Sequence, residues 1–72
     1  MDPVHARLAA NIRDLADERG LALSVLADLA GVSRAQLFRV TGCRSSPTVE
    51  FLVKVATALQ VDVSVLFARA SP

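Results

Sequence analysis

Three arginines gather in the middle of the chain. Arg34, Arg39 and Arg44 lie between residues 31 and 49 with no acid among them. A guanidinium is a planar fork of donors that fits phosphate oxygens and the O6/N7 edge of guanine alike. Ser45, Ser46 and Thr48 follow, with hydroxyls and amides of the kind that hold a phosphate backbone. The rest of the chain carries five basic and seven acidic residues, and the whole nets only +1. Total charge therefore gives no support to nucleic-acid binding, whereas a positive face on a neutral-to-acidic body is its electrostatic footprint. An ordinary solvated face explains three arginines equally well on charge alone.

Other chemistries find less. No Ser-His-Asp set, phosphate-binding Walker loop or enclosed pair of carboxylates occurs, and Asp17 and Glu18 are neighbours that diverge around a helix. Neither catalytic residues nor a cofactor or small-molecule ligand are expected. One histidine, His5, and one cysteine, Cys43, stand far apart, so no metal site is expected. His5, near the start, reads as a solvated surface residue. A single cysteine excludes an intrachain disulfide and suits a reducing cytoplasm, with Cys43 a passive loop thiol.

The elements that must position the arginines lie in residues 23–41, LSVLADLAGVSRAQLFRVT. Leu26, Ala27 and Ala30 share one face of a short helix. Gly31 ends it, where a positive φ suits glycine. Ser33 opens a second helix as N-cap, and Gln36 three residues on completes a capping box. Leu37 and Val40 face inward on that helix, and Val32 plugs the turn. Arg34, Ala35, Phe38 and Arg39 remain outward. The plan is a helix-turn-helix.

The surrounding chain is 72 residues and 53% hydrophobic, with apolar residues spaced mostly by three and four, which predicts one all-α domain over 1–72 with a core over 3–68 and a frayed tail over 69–72. No apolar run approaches the ~18 residues of a spanning helix. Asp2 near the start argues against a signal peptide, so a cytoplasmic protein away from membranes is expected. Asp2 caps the first helix and Pro3 begins it. Val4, Leu8, Ile12 and Leu15 form its inward stripe, Arg13, Asp14, Asp17, Glu18 and Arg19 decorate its outside, and Gly20 stops it. Further on, Thr48 caps a fourth helix that buries Val49, Leu52, Val55, Ala56 and Leu59. Asp62 caps a last short helix whose Leu66 and Phe67 join the core. Phe51, Val53, Val63 and Val65 are left over, an apolar surplus that predicts a homodimer interface.

Small Ala27, Gly31, Val32, Leu37 and Val40 match a known helix-turn-helix pattern position by position. With residues 8–21, LAANIRDLADERGL, and 45–67, SSPTVEFLVKVATALQVDVSVLF, the chain resembles the lambda-repressor-like (Cro or XRE) domains over most of its length. The resemblance implies a five-helix fold with the motif on helices 2 and 3. It implies a sequence-specific regulator of transcription that binds double-stranded DNA as a homodimer, with helix 34–41 in the major groove. Arg34, Ala35, Phe38 and Arg39 would then touch bases, and Ser24, Arg44, Ser45, Ser46 and Thr48 phosphates. Restriction-modification controllers, Cro-like phage proteins and antitoxins are built at this scale.

Several positions depart from the family. Ala22 stands where Ser or Thr caps helix 2, with Ser24 expected to take over and shorten the helix. Leu23 replaces a frequent Gln, so that contact is absent. Val25 and Leu29 replace polar residues. Thr41 and Ala16 replace a glutamate–arginine pair on both sides together. Cys43 replaces a glycine, with Gly42 expected to end the helix instead. Leu23 and the low net charge favour an alternative reading, in which the fold is a protein-interaction module for a toxin or a polymerase subunit.

Overall fold

The structure, a computed structural model, describes residues 3–68. Asp2, the expected first cap, and the expected frayed tail 69–72 lie outside the described residues. Four α-helices run Pro3–Glu18 (α1), Leu23–Ala30 (α2), Arg34–Thr41 (α3) and Val49–Leu59 (α4), and a 3₁₀ helix at Val63–Phe67 closes the chain. The five-element, all-helical plan therefore holds, with a fifth element tighter than an α-helix.

Helix starts follow the capping chemistry. Ser33 Oγ accepts the Gln36 amide at 3.3 Å, Thr48 Oγ1 accepts the Phe51 amide at 3.1 Å, and an Asp62 carboxylate oxygen accepts the Ser64 amide at 2.9 Å. Only that half of the Ser33–Gln36 capping box forms. Helix α2 begins at Leu23 behind an uncapped Ala22, so Ser24 neither caps nor shortens it. Leu23, Leu26 and Ala27 pack on the core and hold that first turn by burial instead.

All four α-helices end in the same two-bond motif, in which a residue two or three positions past the helix reaches back five positions and its predecessor three. The long bonds are Leu21 N–H to Ala16 O (2.8 Å), Val32 to Ala27 (3.0 Å), Arg44 to Arg39 (2.7 Å) and Val61 to Ala56 (3.0 Å). This motif needs a left-handed residue at each turn. Gly20 and Gly31 supply it at φ 65° and 72°, but Cys43 and Gln60 adopt it at 59° and 60° despite their side chains. Gly42, at φ −89°, does not relieve Cys43 of the strained position, because the bond pattern fixes which residue must turn left.

Leu8, Ile12, Leu26, Leu37, Val55, Leu59 and Leu66 form the solvent-free centre. Several sequence assignments shift here. Phe51 is only 3% exposed and belongs to the core, while Val49 is 74% exposed. The α4 stripe is thus Phe51, Leu52, Val55, Ala56 and Leu59, and Val49 lies about 200° around the helix from Phe51. Phe51 is accordingly unavailable to a dimer face. Phe67 is exposed, because three residues per turn place Val63 and Leu66, not Phe67, on the inner side. Val4 is also exposed, one turn before Leu8, the first α1 side chain to reach the core, and Leu15 packs only at the rim.

Polar residues on α1 and just past its end tie the other elements down. Arg13 Nη1 donates to the Thr41 carbonyl at 2.8 Å, at the end of α3, and Arg19 Nε donates to the Leu59 carbonyl at 2.8 Å, at the end of α4. Asn11 Nδ2 donates to the Leu66 and Ala68 carbonyls at 2.9 and 2.6 Å, at the end of the 3₁₀ helix. Each places a donor on carbonyls that a helix end leaves unpaired, and the two arginines also offset the negative helix terminus. Arg13 and Arg19 are therefore clamps rather than outside decoration.

Candidate nucleic-acid interface

Helix α3 buries Leu37, Val40 and Thr41 and turns Arg34, Ala35, Phe38 and Arg39 to solvent. At 100° per residue these four occupy one strip about 140° wide. Phe38 is 49% exposed, which leaves half of its ring for a ligand rather than for the neighbouring helix. Thr41 stands in place of the family's glutamate, and its hydroxyl donates within its own helix to the Leu37 and Phe38 carbonyls at 2.9 and 3.3 Å. Ala16 opposite it is buried without a polar group. Loss of both partners thus leaves no orphan charge, and the Arg13 bond supplies a link between α1 and α3.

The three arginines differ in their commitments. Arg34, at the first position of α3, makes a two-bond ion pair with Asp28 on the last turn of α2: Nε to Oδ1 at 3.0 Å and Nη2 to Oδ2 at 2.6 Å. Those hydrogen bonds hold the Asp28 carboxyl below the usual carboxylate range and the Arg34 guanidinium above its own. The guanidinium groups of Arg39 and Arg44 have no ion pair or hydrogen-bond partner among the described residues. The bond from Arg44 N–H to Arg39 O joins these two residues' backbones at the end of α3. Two cations there also suit the negative end of the helix, which is their minimal role.

Two helix starts flank one shallow groove. Gly31, Val32, Ser33 and Gln36 line it from the turn and α3, and Thr48, Glu50, Phe51 and Lys54 line it from α4. The starts of both helices border it, and the positive end of a helix start is suited to phosphate. Glu50 in the groove pairs with Lys54 at 3.4 Å. Ser45 and Arg44 are exposed on the connecting loop, and Thr48 is exposed with its hydroxyl oxygen already accepting the Phe51 amide. Ser46 Oγ pairs with His5 Nε2 at 3.1 Å, and Cys43 Sγ donates to the His5 carbonyl at 3.7 Å. His5 is therefore half-buried and joins α1 to this loop rather than standing free in solvent. Ser24 is half-buried on the first turn of α2 and makes no hydrogen bond through its side chain among the described residues.

The remaining apolar positions divide. Leu23 packs against the core and Val63 is partly buried against it, whereas Val53 and Val65 are exposed. Val25 is exposed on α2, and Leu29, 62% exposed, shares a groove with Val53. Among the described residues no group of three His, Cys, Asp or Glu could hold a metal ion, and no helix is long and apolar enough to cross a membrane.

The Asp28–Arg34 pair and the α1 clamps escaped sequence reasoning. An acid in the last turn before the glycine and an arginine just after the cap, six residues on, is the signal for the first. The clamps span 28, 40 and 55 positions and left no local signal.

Comparison with known proteins agrees with this geometry. The Helix-turn-helix family model HTH_3 matches residues 12–66. The HTH-type transcriptional regulator SutR of Escherichia coli K12 is 44% identical over 57 residues; the match takes in 79% of this chain but 32% of SutR, so the chain spans about a third of that protein's length. Among solved structures, the restriction-modification controller protein C.AhdI from Aeromonas hydrophila superposes with a TM-score of 0.84 at 27% identity, covering 88% of this chain and 96% of the controller. An HTH_3 family transcriptional regulator from Vibrio cholerae superposes at 0.83 with 36% identity, covering 89% of this chain and 36% of that one. The family model spans the turn and both helices around it, and the chain belongs to the Cro/XRE-type helix-turn-helix family of DNA-binding transcriptional regulators.

Proposed function

We propose that the chain binds specific duplex DNA as a homodimer, with α3 in the major groove. The observation that carries this reading is Arg39: an exposed guanidinium without a partner among the described residues, on the same strip as Ala35 and Phe38. Arg39 would read guanine, and Ala35 and Phe38 would touch a thymine methyl. Arg44, Ser45, Ser46 and the α4 start at Thr48 would face the phosphates, with Ser24 doing so from α2. Val53 and Val65, with the uncovered part of Val63, would form the dimer contact. At about 1.5–3 kcal/mol for each fully buried Val, and with no Phe51 to add, that interface is modest and dimerisation concentration-dependent. Two α3 helices would then lie about 34 Å apart on a near-palindromic site.

Selection of duplexes from a randomised pool tests this, with affinities compared at two salt concentrations. A near-palindromic motif, and sedimentation showing a dimer at micromolar concentration, are expected. No preference at any position would end the DNA-reading proposal. The patch of Val25, Leu29 and Val53 favours a second reading, an interaction surface for another protein. Under that reading Arg39→Ala leaves duplex affinity unchanged, while Leu29→Lys abolishes capture of a protein partner.

A further inference from the structure

Asp28 is an acid beside the basic face that carries Arg34 and Arg39. A carboxylate there weakens attraction to phosphate, so its placement calls for a gain elsewhere. Its contact with Arg34 joins the last turn of α2 to the first residue of α3 across the turn. Both side chains are more than half exposed, at 54% for Asp28 and 60% for Arg34, and a solvated ion pair of that kind contributes little to stability.

The atoms used indicate a different role. Asp28 takes Nε and Nη2, the side edge of the guanidinium. A guanidinium has five N–H donors in a fixed plane. With the side edge occupied, one N–H on Nη1 and the second on Nη2 remain as a parallel pair on the end edge. That pair has the spacing that guanine O6 and N7 accept. An unpartnered arginine on the same strip must order several torsions when it meets a base. Arg34 is ordered beforehand, at the N-terminal part of the helix that reaches deepest into a groove.

We propose that Asp28 is a positioning residue that fixes Arg34 side-on, so that its end edge reads a guanine. This rests on the proposal that α3 enters the major groove. Asp28 itself touches no base. It exchanges general affinity for phosphate for discrimination at one base pair of each half-site.

The test is selection from a randomised duplex pool with the full chain and the variants Asp28→Asn, Asp28→Glu, Arg34→Ala and Asp28→Asn/Arg34→Ala. Thermal melts accompany each, to show that the exposed substitutions leave the fold intact. Arg34→Ala is expected to erase a guanine preference at one position of each half-site. Asp28→Asn should weaken the preference at that same position by roughly 5-fold or more, the lower end of what a bidentate arginine–guanine pair supplies. Binding to random duplex should hold or rise, because a negative charge has gone. Asp28→Glu should recover part of the preference, and the double variant should discriminate no worse than Arg34→Ala alone. If Asp28→Asn keeps the full preference while Arg34→Ala loses it, Arg34 reads without help and the proposal fails. A profile unchanged by Arg34→Ala, with Arg39→Ala still erasing a position, also overturns it while leaving α3 in the groove. A wild-type chain with no preference at any position removes the underlying reading and the proposal together.

Discussion

Arg13 on α1 and Arg39 on α3 are both exposed arginines on amphipathic helices. Arg13 donates to the Thr41 carbonyl at 2.8 Å and holds a helix end, whereas the Arg39 guanidinium has no partner among the described residues. Arg19 and Asn11 repeat the first behaviour at the ends of α4 and the 3₁₀ helix. Phe38 and Ala35 repeat the second along α3. Helix α1 thus turns part of its polar face toward the protein, and α3 turns its outward strip to solvent. Charge counting treats these arginines alike, but Arg13 and Arg19 are spent on helix ends, whereas Arg39 is left free for a polyanion.

The largest expected effect contrasts two neighbours on α3. Leu37→Ala opens a cavity at a fully buried position and should cost about 2–5 kcal/mol in a denaturant titration, enough to unfold much of so small a domain. Phe38→Ala removes a half-exposed ring and should change stability by about 0.5 kcal/mol or less, while weakening duplex binding. Equal stability losses from the two would erase the distinction between the packed and presented sides of α3.

Next in size are the unspent arginines. Arg39→Ala should cost roughly 1–3 kcal/mol on the selected site and relax one position of each half-site, with a loss of stability of only about 0.3–1 kcal/mol from the helix end. Arg44→Ala should weaken binding to every sequence and lower the salt slope by about one per subunit. Arg13→Ala should do the reverse, lowering stability by about 1 kcal/mol, since its charge-assisted bond is partly solvated, and leaving the affinity of the folded fraction alone. If Arg13→Ala instead changed the salt slope, α1 would belong to the binding face.

These contrasts mark how far the sequence could be read. The turn, the Ser33, Thr48 and Asp62 caps and the strip of Arg34, Ala35, Phe38 and Arg39 were legible, because each depends on residues close together in the sequence. Placing Val49 inside and Phe51 outside failed because Val-Glu-Phe-Leu-Val offers two overlapping apolar stripes, and local spacing cannot choose between them. Only the bodies packed on α4 decide. Arg13 and Arg19 were misread, and Asn11 had no reading at all, for a related reason: a polar side chain reaches a carbonyl whose position depends on the whole fold. For the candidate site, exposure was legible and commitment was not: Asp28 lies six residues before Arg34, and the two meet only because the turn folds α2 against α3.

The smallest expected effect concerns the end of α3, where presented and packed sides meet. At the other three α-helix ends the residue that makes the long back-bond is apolar and partly buried against the core: Leu21, Val32 and Val61. At α3 it is the exposed Arg44. The fold thereby surrenders an apolar contact and projects a cation from the loop. It also holds Cys43 at φ 59°, a conformation that costs a residue with a Cβ about 1–2 kcal/mol. Cys43→Gly relieves that strain, but it adds unfolded-state freedom worth about 0.5–1 kcal/mol and loses the weak thiol bond to the His5 carbonyl. The net gain should be about 0.5 kcal/mol, a rise of about 2–4 °C in the melting temperature of a domain this size. Duplex affinity and salt slope should stay unchanged, because Arg44 keeps its back-bond. Lower stability in Cys43→Gly would show that the thiol contact outweighs the strain. A loss of DNA affinity without a loss of stability would show that the side chain at Cys43, and not only the turn it makes, helps to hold the phosphate-facing loop.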